Sequence, residues 1–126
     1  MFDGSKEVTD SRPHDVYKFL ESEGFEVYFQ GQHKGKCNSK YVVIVERGET
    51  KLVSISSTTS TIELLCYVPI AVSSTIGVFC DSVKEAMKGM FPMIVPLYND
   101  IGDYTDDEVK ATMRTIQYRY YRKIER

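Results

Sequence analysis

Any chemistry in this chain has to come from a small set of side chains. His33 and Cys37 share one glycine-punctuated segment, and His14, Cys66 and Cys80 are the remaining soft donors that a tetrahedral zinc-type site could draw on. Their spacing contains neither a CxxC pair nor an HxxxH partner. Cys66 and Cys80 also fall on apolar stripes, where a thiol serves as a small core residue. Asp103, Asp106, Asp107 and Glu108 gather the oxygen donors of a hard-cation site. They lack the ligand order and the glycine of an EF-hand loop, so a solvated acidic loop is expected. No GxGxxG, GxxxxGK[ST] or GxSxG occurs. Without a phosphate cradle or a nucleophile elbow, no catalytic residue, cofactor or metal is assigned, and the chain reads as a non-enzyme.

The closing stretch sets bases among aromatics: Arg114, Tyr118, Arg119, Tyr120, Tyr121 and Arg122. Single-stranded nucleic-acid platforms combine phosphate contacts and stacking in this way, but so does an ordinary strand with one wetted face. The formal net charge of -2 denies the chain the broad basic footprint of a nucleic-acid binder. What it hides is an asymmetry. Residues 100 to 108 hold five acids and no base, whereas residues 110 to 126 hold six bases against Glu125. Opposite charges on two surfaces of one subunit can join identical copies head to tail, which closes into a ring or continues as a filament.

The elements that would position these groups follow from periodicity. Residues 1 to 10 are polar and aperiodic, a flexible N-terminal arm. Ser11 or Asp10 caps a helix with Pro13 in its first turn and Val16, Phe19 and Leu20 on its buried stripe, and Gly24 stops it. Phe25, Val27 and Phe29 alternate as a short strand. That strand contains Glu26-Val27-Tyr28-Phe29-Gln30-Gly31, which resembles the site cut by proteases that remove purification tags; the capped helix before it reads as native sequence, so the hexapeptide is taken as native too. Residues 30 to 39 form a polar loop carrying Gln32, His33, Lys34 and Lys36. The β-branched run Tyr41–Val45 predicts a central strand. A turn is expected at 46 to 49 and a hairpin return over 51 to 56, with Val53 and Ile55 on one face. The Ser/Thr run 56 to 61 is either a second turn or the polar part of a long projecting strand that resumes at Ile62, Leu64, Cys66 and Val68.

A second helix, capped by Ser73 or Ser74, carries Ile76, Phe79, Cys80, Val83, Met87 and Met90 on one stripe. Residues 93 to 98, with Pro96 inside, read as an edge strand. The acidic 100 to 108 segment reads as a loop with a helical turn near Thr105. Ala111 to Arg122 reads as a long strand with a bulge or a two-sided environment between Met113 and Ile116. This order predicts an α+β fold: two main helices on one face of a mainly antiparallel sheet, with a projecting hairpin, and residues 11–126 forming one domain. At 126 residues there is room for one core only. No apolar run reaches the length of a membrane span, and three cysteines without paired spacing are expected as reduced thiols in an intracellular protein.

Several stretches together carry a resemblance. Asp15–Leu20, Gly24–Tyr28, Gly31–Cys37, Tyr41–Val43, Cys66–Pro69, Val83–Met87 and Met113–Arg119 are similar to small tail-completion proteins of Gram-positive tailed phages, prophages and phage-tail-like bacteriocins. The similarity is to the tail terminator group, and it extends from about Asp15 to Ile124. It implies an α+β virion protein, assembled in the host cytoplasm, that forms a ring, usually a hexamer, on the finished tail tube. Such a ring stops polymerisation and presents a collar-like docking surface to the head connector or, in contractile particles, to sheath protein. The implied partners are other copies of the chain, the tube protein and the connector, with no membrane and no sequence-specific nucleic acid. On this expectation Tyr118, Tyr120 and Tyr121 anchor the subunit interface, and Arg114, Arg119 and Arg122 face Asp103, Asp106 or Asp107 either across the boundary or within the subunit. Gln32, His33, Lys34, Lys36, Arg47 and Lys51 lie on segments expected to bridge to neighbours or to the tube. Two alternatives stand beside this reading: a head-side joining protein, and a small nucleic-acid-binding module that uses the C-terminal strand.

Overall fold

A computed structural model describes residues 12–33, 35, 37–51, 57–91, 93–97 and 101–123; the proposed arm at 1 to 10 and the return bearing Val53 and Ile55 lie outside them. Helix α1 (Arg12–Ser22) fully buries Val16 and Leu20, the spacing that sets two side chains on one helical face. It ends as the sequence predicts. Gly24 takes φ +98°, its N–H donates to the Glu21 carbonyl, and the Phe25 N–H reaches back to Leu20 at 3.1 Å. These two bonds form a Schellman closure, and Phe25 then packs on the core that Leu20 enters.

Among the described residues the sheet has six strands: β1 (Val27–Phe29), β2 (Tyr41–Lys51), β3 (Ser57–Pro69), β4 (Val95–Pro96), β5 (Ile101–Asp106) and β6 (Ala111–Lys123). Its spatial order is β1-β2-β3-β6-β4, with β5 pairing a different part of β6. Only β1 runs parallel to its neighbour, β2; every other pair is antiparallel. The fold is α+β. Strand β3 is the spine, because each of its even positions from Ile62 to Val68 is completely buried.

On one face, α1 and α2 (Ile76–Met87) close over Val42, Ile44, Ile62, Leu64, Cys66, Val68, Ile116, Tyr118 and Tyr120. The stripe of α2 is the predicted one, with Ile76, Phe79, Cys80, Val83 and Met87 buried. The opposite face carries a smaller apolar cluster of Cys37, Tyr41, Val43, Val45 and Ala111. Alternation across the pleat therefore serves two cores.

Several expectations are corrected. The turn at 46 to 49 is absent: β2 runs on through it, and the pairing shifts by one residue between Glu46 and Gly48, which makes Arg47 a bulge. The described part of the Ser/Thr run belongs to β3, paired with both β2 and β6. No bulge interrupts β6, whose register with β3 is unbroken from Ser57↔Lys123 to Pro69↔Ala111. The change of apolar parity along β6 is the two-sided environment: Ala111 joins the smaller cluster, while Ile116, Tyr118 and Tyr120 join the main core. The acidic segment is strand β5 followed by a turn at 107 to 110, and the edge strand near Pro96 spans two residues only. Neither Ser73 nor Ser74 caps α2; a 3-10 segment (Ile70–Thr75) leads into it, with Thr75 in the cap position.

Gly24→Ala tests how α1 ends. Nothing lies within 4 Å of the added Cβ, so the cost is conformational. The left-handed backbone should lower stability by about 1 kcal/mol, read as a lower urea midpoint at unchanged slope. An unchanged midpoint would show that the closure contributes nothing.

Candidate assembly surface

The outer flank of β6 is covered in two pieces. Strand β4 pairs with Arg119 and Tyr118, and β5 pairs with β6 between Ala111 and Thr115. On the helical side of this flank the last turn of α2 brings Lys84, Met87 and Lys88 to one face, as i, i+3 and i+4 spacing requires. The chain then turns through a 3-10 segment (Lys88–Met90) and returns through Ile94, which is buried, to β4. Between these elements lies a cleft of about 420 Å³. Met87, Ile94, Pro96, Ile116 and Tyr118 form its apolar wall, and Phe91, Lys84 and Lys88 border it. Phe91 is 62% exposed and its neighbour Met93 48%.

The other side of the flank is also apolar. Ile101 lies opposite Thr115 and Tyr104 opposite Met113. Both partners are odd-numbered positions of β6, so both β5 side chains stand on the face away from the helices. They are 48% and 58% exposed. Asp107 and Glu108 follow in the exposed turn, where the Asp106 carboxylate accepts the Glu108 N–H at 3.0 Å.

The residues expected at a subunit interface are distributed differently. Tyr118 and Tyr120 are 3% and 0% exposed, members of the main core, and the Tyr120 hydroxyl donates to Glu46 Oε2 at 2.9 Å. Two of the three tyrosine anchors are thus consumed inside the subunit. Arg114 reaches Asp103 within the chain, with Nε 2.7 Å from Oδ1 and a second bond of 3.3 Å to Oδ2, which is the intrasubunit alternative. Arg119 stands on the face away from the helices, between Thr61 and Val95 in register. The side chains of Tyr121, Arg122 and Lys51, together with Lys34 and Lys36, lie outside the described residues.

Described residues of the 30 to 39 loop contact the rest of the subunit. Gln32 Oε1 accepts the Phe29 N–H at 2.8 Å, and the His33 ring stacks on Tyr41 at 4.1 Å. Buried Cys37 donates its N–H to the Val109 carbonyl. Arg47, at the bulge, bonds Glu63 at 2.8 Å; Gln117 donates to the other Glu63 oxygen, so this buried carboxylate is satisfied on the outer face. Among the described residues no three His, Cys, Asp or Glu side chains converge as metal ligands would. His14 instead lies over Tyr17 and Phe29 in a parallel stack.

Electrostatics on the outer face are those of packing. Burial holds the Tyr41 phenol far above its ordinary range, raises Tyr67 beside it, and raises the Cys37 thiol. The hydroxyls of Tyr28 and Ser39 donate to Glu26 and hold its carboxyl below the usual value. Reading the sequence missed Phe91, Met93, Ile101 and Tyr104. The available signal was two large apolar residues inside an acidic run that had no core to serve if that run were a loop. No protein-family model matches the chain, and no curated protein matches it.

Tyr41 and Tyr67 set an alkaline limit. Their folded pKa values lie above those of the unfolded phenols, so their contribution is complete below about pH 10 and declines as pH rises past it. Unfolding free energy should therefore fall above that pH, and Tyr41→Phe should flatten the decline. A decline of equal steepness in the variant would locate the titrating groups elsewhere.

Proposed function

We propose that the chain is a structural subunit of a tailed phage or phage-tail-like particle. In this reading it is a terminator that assembles as a ring on the tail tube, ends tube growth and offers a docking surface to the head connector. The observation that carries the proposal is the shape of the sheet. Strand β3 has 13 residues and extends about 40 Å, whereas α2, with 12 residues, covers about 18 Å. At one end of the sheet three strands pair only with one another among the described residues, as a ribbon: the end of β2, the start of β3 and the end of β6. Strand β1 covers β2 only from Val42 to Ile44, and β4 reaches β6 only as far as Arg119. Beyond those points both edges of the ribbon lack a partner strand among the described residues.

Open edges are ready templates for another chain, and soluble proteins manage them or use them. A subunit with one open edge on each side of a ribbon suits lateral repetition, as a ring on a tube requires. The burial of Tyr118 and Tyr120 weighs against the nucleic-acid alternative, because a stacking platform needs its rings on the surface.

The test is the mass of the purified protein by light scattering over a range of concentrations, alone and with the tube protein of the same particle. The expected result is one discrete closed oligomer, formed alone or on the tube protein. A monomer under both conditions would contradict the proposal. So would a monomer that binds oligonucleotide with an affinity falling steeply in salt.

A further inference from the structure

We infer that neighbouring copies join by a knob-in-cleft contact: the Ile101–Tyr104 ridge of β5 on one copy seats in the cleft under Phe91 on the next. The inference rests on the proposal of a ring and adds a side-chain contact between copies to the open ribbon edges.

Three observations carry it. The first is geometry. Cleft and ridge share one flank of β6 but stand on opposite faces of the sheet, since Ile116 and Tyr118 in the cleft wall belong to the helical face while Ile101 and Tyr104 pair with positions of the other face. A subunit cannot close the contact on itself, and a contact between unlike surfaces is heterologous, the kind that generates rings.

The second is apolar exposure. Ile101, Tyr104 and Phe91 are each about half exposed or more; the first two form the ridge and Phe91 borders the cleft. Tyr104 of one copy set against the next copy's cleft, where Phe91 and Pro96 border the buried Met87, Ile94, Ile116 and Tyr118, has the anchor-and-pocket form in which binding energy concentrates. The third is charge. Lys84 and Lys88 border the cleft, and Asp107 and Glu108 lie in the turn that ends strand β5. Like charges would oppose the contact, whereas this arrangement favours one orientation of it. Lys88 shares an exposed ion pair with Glu85 at 3.0 Å, so the basic border of the cleft includes one acid, while Arg114 is engaged with Asp103 inside the subunit.

Complementation tests the contact. Tyr104→Asp spoils the ridge and leaves the cleft; Phe91→Asp spoils the cleft border and leaves the ridge. Both side chains are more than half exposed, so both variants should unfold at the wild-type midpoint. The expected result in analytical ultracentrifugation is a wild-type oligomer, two monomeric variants, and a complex with one copy of each when the variants are mixed, because one intact junction remains. Charge reversal is the second measurement. Lys84→Glu with Lys88→Glu should lose the oligomer, as should Asp107→Lys with Glu108→Lys, and a mixture of the two reversed proteins should regain a contact.

Variants that keep the wild-type oligomer would overturn this contact while leaving the ring proposal standing. Monomeric variants that fail to complement each other would overturn it as well. A wild-type chain that is monomeric at every concentration reached would also overturn it, and the ring proposal would then be judged on assembly with the tube protein.

Discussion

The molecule depends on one pairing, the unbroken antiparallel register of β3 against β6. Thirteen consecutive partners, from Ser57↔Lys123 to Pro69↔Ala111, tie the middle of the chain to its end. The same strand pairs on its other side with nearly all of β2. Because side chains alternate across a pleat, this register sends Ile62, Leu64, Cys66 and Val68 to one face together with Ile116, Tyr118 and Tyr120. A slip of one residue would exchange that set with Glu63 and Thr115 and leave α1 and α2 without an apolar floor. Leu64→Ala at the centre would cost about 2–5 kcal/mol, a large share of the stability of a domain this size.

The register also explains why the surfaces proposed for assembly lie where they do. Past the short reach of β1 and β4, the described parts of β2, β3 and β6 run on as a ribbon without further edge strands. The return from α2 sets Val95 and Pro96 against Arg119 and Tyr118 on the flank of β6, and the Leu97 N–H carries the contact one residue further by donating to the Gln117 carbonyl at 3.1 Å. Strand β5 takes the rest of that flank and pairs irregularly, with a shift between Ile101 and Tyr104. The turn that joins it to β6 is held from two sides: Val109 accepts the Cys37 N–H and Lys110 accepts the Ile70 N–H at 3.1 Å. The rigid centre thus fixes the position of exposed groups at the margin.

Much of this architecture is legible in the amino-acid order. The stripe from Ile76 to Met90, the stop at Gly24, the run Tyr41–Val45 and the alternation from Ile62 to Val68 each have a period and a boundary, and each formed the expected element. The strand extensions were less legible, because Glu46 to Lys51 and the Ser/Thr run carry turn-like residues whose strand state comes from neighbours on both sides, a tertiary override of local preference. The acidic segment failed for the same reason: six residues, Ile101 and Tyr104 among polar and acidic ones, become a strand because β6 offers an edge. The candidate surface was legible in part. Opposite charges were correctly located in sequence, but a strand's parity does not say which face is covered. Tyr118 and Tyr120 therefore read as surface anchors when they are core, and charge pattern alone left open whether Arg114 would meet Asp103 within the subunit, as it does, or across a boundary.

The central claim is that the ribbon exists to meet another chain. Hydrogen exchange of the assembled and unassembled protein addresses it directly, since edge amides without a partner exchange quickly and those paired to a neighbour do not. The account predicts that assembly slows exchange at residues 46–51 of β2 and 120–123 of β6, while Ile62–Val68 remain equally protected in both states. Slowing confined to α1 or to the 30 to 39 loop, with the ribbon edges unchanged, would contradict it.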